Sequence, residues 1–303
     1  VRISATLYLT DGTIGPARLG RELEERGFDG LYVPEHTHIP VPRETVYPGG
    51  EPPPECARML SPFVALAQAA AVTERLTLGT NIALVAQHDP IDLAKQVATL
   101  DHLSGGRVTF GVGYGWNREE AEDHGVPWPR RRAVVRDRLA LMRALWSHRP
   151  TAYEGEFGSV RSSEVHPKPS LPPRKRLGKA PLYGPRTLIG GAAGPGLFAH
   201  VAEYADGWMP IGGSGLRAAL PVLRTAWAEA GREADDLYVA LTGVTPEPGK
   251  LAHYAELGVD EVIVQLPAAG EDEVRRALDG MGRYVTPGKD ATPGKNVTSR
   301  KRT

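Results

Sequence analysis

The feature that most constrains this chain is a repeated switch of hydrophobic period. Short apolar runs with strand character alternate with segments of helical spacing along nearly the whole of its 303 residues. Strand candidates fall at residues 3–9, 31–33, 76–84, 108–112, 187–189, 208–210, 238–244 and 261–265. Helical spacing follows at 16–26, 61–73, 90–103, 131–146, 196–204, 215–230, 250–257 and 271–284, and residues from 147 to about 185 read as irregular. Gly27 is a stop for the first helix, and Ser61-Pro62 reads as an N-cap and N1 pair for the second. Eight strands, each followed by a helix, predict an α/β chain folded as a (β/α)8 TIM barrel. An open doubly wound sheet competes, but it would carry a glycine-rich dinucleotide turn after its first strand. Thr10-Asp11-Gly12-Thr13-Ile14-Gly15 does not match that turn.

A weak internal repeat points the same way. Gly27-Phe28-Asp29-Gly30-Leu31 is echoed by Gly258-Val259-Asp260-Glu261-Val262 and by Tyr204-Ala205-Asp206-Gly207-Trp208. In a barrel these are turns before strands, on the face opposite the active site, so their aspartates read as turn formers rather than catalysts. The 35 glycines and 27 prolines suit many tight connections. Lys+Arg and Asp+Glu both number 36, which argues against a general nucleic-acid or membrane-surface binder. The balance is uneven, because residues 286–303 carry a net +4 with almost no apolar side chains and the remainder carries −4. The expectation is one barrel domain over 1–285, an insertion at about 155–185 and a disordered basic tail at 286–303. Residues 60–73 form the longest nearly uncharged apolar stretch, too short to span a bilayer. With no signal-like start and a single cysteine, Cys56, the chain reads as cytoplasmic, and the sequon at Asn296 reads as chance.

In such a barrel the chemistry belongs to residues just after the strands. Glu35-His36-Thr37-His38 follows the second strand, Gly113-Tyr114-Gly115-Trp116-Asn117 the fourth, and Gly190-Gly191-Ala192-Ala193-Gly194 the fifth. A metal centre built on His36 and His38 would need further ligands after later strands, and strands five, six and eight end in none. Paired-carboxylate chemistry fails in the same way, since Glu35 has no second acid at another strand end and Glu119 and Glu120 read as first-turn helix acids. Glu35 and His36 remain as an acid/base candidate. Glycines at strand ends let backbone approach a flat ligand, and a glycine-rich turn opening a helix can cradle phosphate. Each is equally readable as a tight βα turn. Together they suggest a planar, phosphate-bearing cofactor. Cys56 lies in a proline-rich loop and reads as structural.

The residues also resemble a known family. Leu78-Gly79-Thr80-Asn81-Ile82, Asp89-Pro90-Ile91-Asp92-Leu93-Ala94-Lys95 and Leu100-Asp101-His102-Leu103-Ser104-Gly105-Gly106-Arg107 lead into Gly111-Val112-Gly113-Tyr114-Gly115-Trp116-Asn117. This run is similar to the luciferase-like monooxygenase family, and specifically to its coenzyme F-420-dependent oxidoreductases. The resemblance implies a barrel that binds a deazaflavin or flavin at its strand C-termini, hydride transfer between that ring and a small organic substrate, and a homodimer. By position it implies that Glu35 and His36 stand beside the ring, with His36 as acid/base. Asn81-Ile82 aligns with a bulge, often a non-prolyl cis peptide, that backs the ring. Gly113, Tyr114 and Gly115 align with ring and ribityl contacts, and Gly190, Gly191, Ala192, Ala193 and Gly194 with the phosphate loop. An FMN-dependent monooxygenase is the alternative on the same scaffold, and a non-catalytic cofactor-binding protein a further one. The basic insertion at 172–179 departs from the family pattern. It reads either as solvated surface or as a lid over the coenzyme's acidic tail.

Overall fold

The computed structural model describes residues 1–176 and 179–285. Eight strands form a closed parallel barrel: β1 (Arg2–Thr6), β2 (Gly30–Val33), β3 (Thr77–Thr80), β4 (Val108–Val112), β5 (Arg186–Gly190), β6 (Gly207–Met209), β7 (Tyr238–Thr242) and β8 (Glu261–Gln265). They neighbour one another in chain order, and β1 closes the ring on β8 with Arg2 opposite Glu261. Helices α1 (Pro16–Glu25), α2 (Pro62–Ala70), α3 (Pro90–Leu103), α4 (Arg131–Trp146), α5 (Pro195–Tyr204), α6 (Leu216–Glu229), α7 (Pro248–Leu257) and α8 (Glu271–Met281) follow the strands in turn. The sequence-predicted barrel is the fold. No helix among the described residues is long and apolar enough to cross a membrane.

Two apolar layers hold it. The larger lies between barrel and helices, and the smaller fills the barrel with Tyr32, Leu188, Met209, Ala240 and Ile263. Glycine makes room where the interior is tightest: a Cβ on Gly79 would stand 2.2 Å from the Tyr32 ring. Near the strand N-termini the buried Glu261 carboxylate accepts the Tyr32 and Tyr238 hydroxyls, each at 2.9 Å, and the Ser4 hydroxyl. Burial and the Glu261 charge push both phenols well above their usual range.

The three repeat aspartates do one job. Asp29, Asp206 and Asp260 each accept a backbone N–H with the side chain, from Ile3 at 2.7 Å, Thr187 at 2.8 Å and Val239 at 2.8 Å. Each returns its own N–H to the carbonyl of that same residue. The carboxylate thus completes a two-bond clasp between a turn and the preceding strand, where the ladder would otherwise leave a donor unpaired.

Several expectations change. Ser61 makes no side-chain capping bond, whereas Asp89 caps α3 by accepting from Ile91 N at 2.9 Å and Asp92 N at 3.0 Å. Pro62 does open α2. The stretch read as irregular contains two antiparallel hairpins, Thr151–Glu154 with Ser159–Ser163 and Arg174–Arg176 with Lys179–Leu182. Arg174 binds Asp206 at 2.8 Å and the Gly184 carbonyl at 2.6 Å, and Arg176 reaches the Glu203 carbonyl. Those partners lie at the C-terminal end of α5 and in the turns before β5 and β6, so Arg174 and Arg176 sit at the end of the barrel opposite its mouth and form no lid. The basic tail at 286–303 and the sequon lie outside the described residues.

Candidate functional site

The mouth of the barrel is built around a break in β3. After Thr80 the chain bulges through Asn81 and Ile82, whose peptide bond is cis, and rejoins β4 by a bridge from Ala83 to Val112. Asn81 Nδ2 donates to Thr242 Oγ1 at 2.8 Å across the opening. The half-buried Ile82 side chain packs over the interior cluster, flanked by the ends of β4 and β5. A Cβ on Gly113 would stand 2.5 Å from Ile82 Cδ1, and one on Gly190 would stand 2.8 Å from Ile82 Cγ2. These two glycines therefore admit a side chain of the protein itself, and the result is an apolar platform level with the strand ends.

Glu35 and His36 are neighbours in sequence but do not pair. The Glu35 carboxylate, 5% exposed, accepts Leu84 N at 2.6 Å and lies 2.9 Å from His88 Nε2, so it ties down the loop that carries Ile82. His36 turns to other partners. The Trp116 indole N–H donates to His36 Nε2 at 2.9 Å, and His36 Nδ1 lies 2.7 Å from Glu120. Indole can only donate, so Nε2 accepts, and the imidazole proton sits on Nδ1 facing the carboxylate. Glu120 also accepts Thr37 N at 2.9 Å. Burial opposes its ionisation, but the His36 bond and charge and the Thr37 amide prevail and hold it below the usual carboxylate range.

The short helix Arg118–Asp123 that carries Glu120 also restrains the loop over the mouth. Glu119 accepts Glu44 N at 2.7 Å and Thr45 N at 2.9 Å, and bonds from Thr45 and Glu44 hold it down at about 2. That loop presents Val41 and Val46 to solvent, 89% and 76% exposed, and sets Tyr47 edge-on to Trp116 with ring centroids 5.0 Å apart. Among the described residues no group of three or more His, Cys, Asp or Glu could hold a metal ion.

The glycine-rich turn after β5 opens α5. Gly191 has φ +145°, Ala192 and Ala193 are exposed, and Gly194 precedes Pro195 with no side chain capping the first amides. Beside this open helix start stands Arg132. Its Nη1 lies 3.7 Å from where a Gly196 Cβ would be, and it has no acidic partner among the described residues. Its guanidinium lies 5.1 Å from the Tyr114 ring centre. Tyr114 points between helices, its hydroxyl 2.9 Å from both His200 Nδ1 and Tyr204 Oη, and burial pushes its phenol up. Gly115 lies next to it in the positive-φ region at +73°.

Sequence reasoning placed Trp116 at a strand end and Glu120 in the first turn of a helix but gave neither a role at the site, and it did not single out His88 or Arg132. A signal for Glu120 was present: Asn117 caps the helix by accepting Glu120 N at 3.2 Å. That spacing places a glutamate in the first turn beside the loop before it.

The loops at the strand ends gather these side chains at the mouth, where barrels of this kind place their active sites. Residues 16–261 match the luciferase-like monooxygenase family, and the chain belongs to it. It is 43% identical over 272 residues to an uncharacterized protein of Mycobacterium tuberculosis, covering 88% of this chain and 92% of that one. It is 32% identical over 216 residues to the F420-dependent glucose-6-phosphate dehydrogenase of Beutenbergia cavernae, covering 70% of this chain and 56% of the relative. Among solved structures, the monooxygenase RslO1 of Streptomyces bottropensis has the same fold, with a TM-score of 0.70 at 19% identity over 93% of this chain and 98% of that one.

Proposed function

We propose that this chain is an oxidoreductase that holds a flavin-type cofactor at the barrel mouth and acts on a small organic substrate, by hydride transfer with coenzyme F-420 or by oxygenation with FMN, with His36 as its acid/base. The observation that carries this reading is the apolar Ile82 platform, framed by Gly113 and Gly190, together with a histidine of fixed tautomer just after the neighbouring strand β2. When bound, the cofactor supplies a planar ring that gives or takes two electrons. Ile82, and Asn81 tied to Thr242, would hold that ring. The open start of α5, from Gly190 to Gly194, and Arg132, which has no acidic partner among the described residues, would hold the phosphate. His36 Nε2 carries the lone pair that takes a substrate proton once the Trp116 N–H yields it, and Glu120 stabilises the imidazolium. Glu35 acts through the loop bearing Ile82 rather than on the substrate.

Two finer readings divide on the cofactor. The family description is that of an oxygenase, and the wider support lies with an FMN-dependent monooxygenase. The Beutenbergia relative is named as an F420-dependent dehydrogenase, and it supports deazaflavin chemistry without oxygen. Titrating the purified chain with FMN and with coenzyme F-420, following fluorescence, separates them. Failure of both at micromolar concentration sinks the proposal. His36→Ala should abolish turnover while keeping cofactor affinity, and full activity would remove His36 from the mechanism. The homodimer is carried as a proposal too, tested by sedimentation.

A further inference from the structure

A cleft of about 870 Å³ lies outside the barrel, along the outer face of α4. Ala133, Asp137, Ala140 and Ala144 line it at spacings of four, three and four residues, so one stripe of the helix forms its floor. Three of those four positions are alanine, which leaves the space open. Tyr153 and Phe157 of the first hairpin region and Tyr183 supply flat apolar walls. The size and the mixture of aromatic walls with a few polar groups are those of a small-molecule site.

The charges in the cleft are unequal in their freedom. Asp137 accepts from the Tyr153 hydroxyl at 2.8 Å, Glu156 N at 3.1 Å and Phe157 N at 3.0 Å. Glu156 pairs with Arg130 at 2.7 Å, and Glu203 accepts Arg136 Nε at 2.9 Å. Arg143 has no such match. It is 8% exposed, its Nη2 donates to the Tyr204 carbonyl at 2.6 Å, and its buried Nε has no partner. No carboxylate of the described residues lies within ion-pair distance of it. Asp206, the acid whose charge acts most on Arg143, is already held by Arg174 at 2.8 Å and faces Arg232 at 3.6 Å. A buried cation without a counterion is costly, and burial draws the Arg143 guanidinium down to about 10. Capping the end of α5 accounts for one of its N–H groups. It does not account for Nη1, which has no partner among the described residues, or for the space that Arg143 lines.

We infer that this cleft is a second ligand site, which takes a small organic anion with a flat apolar body. The carboxylate or phosphate head meets Arg143, with Arg149 at the rim, and the body lies on the alanine stripe between Tyr153 and Tyr183. The site is distinct from the barrel mouth and independent of which cofactor binds there.

Calorimetric titration of the whole chain with 2-naphthoate, 2-naphthyl phosphate and neutral 2-naphthalenemethanol tests it. At least one anion should bind ten times or more tighter than the alcohol, and comparing the two anions identifies the head group. Arg143→Met should weaken that anion at least tenfold. Ala140→Trp, which fills the floor and leaves the Arg143 side chain in place, should do the same and carries the test if Arg143→Met does not fold. Saturating FMN or F-420 should leave the affinity unchanged. The inference is overturned if neither anion binds at millimolar concentration, if the alcohol binds as well, if the folded variants bind like the parent, or if the cofactor displaces the anion.

Discussion

Gly113→Ala should loosen the mouth of the barrel through a single side chain. The new methyl would stand 2.5 Å from Ile82 Cδ1 and 2.7 Å from Ile82 Cγ1, where carbon atoms normally rest about 3.5–4.0 Å apart. The obstruction is the end of a side chain, so relief comes from driving Ile82 off its rotamer, at about 0.5–1.5 kcal/mol. With the accompanying shifts, overpacking of this kind costs about 1–3 kcal/mol. For a chain of this size that lowers Tm by about 1.5–2 °C per kcal/mol. Ile82→Ala alone should cost less than the about 2–5 kcal/mol typical of a fully buried site, because Ile82 is only half-buried. In the double variant the methyl fills space that Ile82 has left. The two losses should then fall short of additivity by at least about 1 kcal/mol. Gly111→Ala is the control: its methyl would stand 2.0 Å from the Thr80 carbonyl oxygen, which is backbone, and Ile82→Ala cannot relieve it. Urea unfolding of the variants measures all of these terms. A neutral Gly113→Ala, or strictly additive losses with Ile82→Ala, would falsify the packing described for the mouth.

Other parts of the molecule make separate predictions. In Trp116→Phe the His36 Nε2 lone pair loses its donor while Glu120 still holds the Nδ1 proton, so nitrogen-15 spectra should move the Nε2 resonance and keep the Nδ1–H tautomer, and an unmoved Nε2 resonance would refute the assignment. Glu120 is held below its ordinary carboxylate range, so its stabilising effect is complete above about pH 5 and is lost as pH falls through the lowered value. The stability gap between the parent and Glu120→Gln should accordingly be flat above about pH 5 and close below about pH 4, and a gap that widens in acid contradicts this. Cys56 is 3% exposed, and burial, with the Glu55 charge, pushes its thiol up to about 11. Iodoacetamide at pH 8 should label it only after denaturation, and rapid labelling of the native chain would refute its burial.

The barrel was legible because its signals are local. Each strand buries both faces and each helix one, so period and punctuation mark them without knowledge of their partners. The aspartates before β2, β6 and β8 were legible for the same reason, since the clasp repeats with its sequence. The hairpins were not: Thr151–Glu154 alternates between half-buried and exposed residues and carries little apolar signal. The site was half legible. Glu35 and His36 could be picked out as strand-end residues, but their partners are 53 and 84 residues away and only the closed barrel brings them together. A basic run such as Arg174–Arg176 shows charge without showing which end of the barrel receives it, and Asp206 decided that.

The Ile82 platform has a stereochemical consequence. A flat ring resting on it would have one face against the isoleucine, which Gly113 and Gly190 flank too closely to admit a further Cβ. On the proposed reading, bond making and breaking at the ring is confined to the opposite face, whatever the substrate and whichever cofactor is used. With coenzyme F-420, whose accepting position is a carbon, deuterium delivered from a labelled substrate should enter one prochiral position only. The handedness of the reaction would then be set by a residue that takes no part in its chemistry.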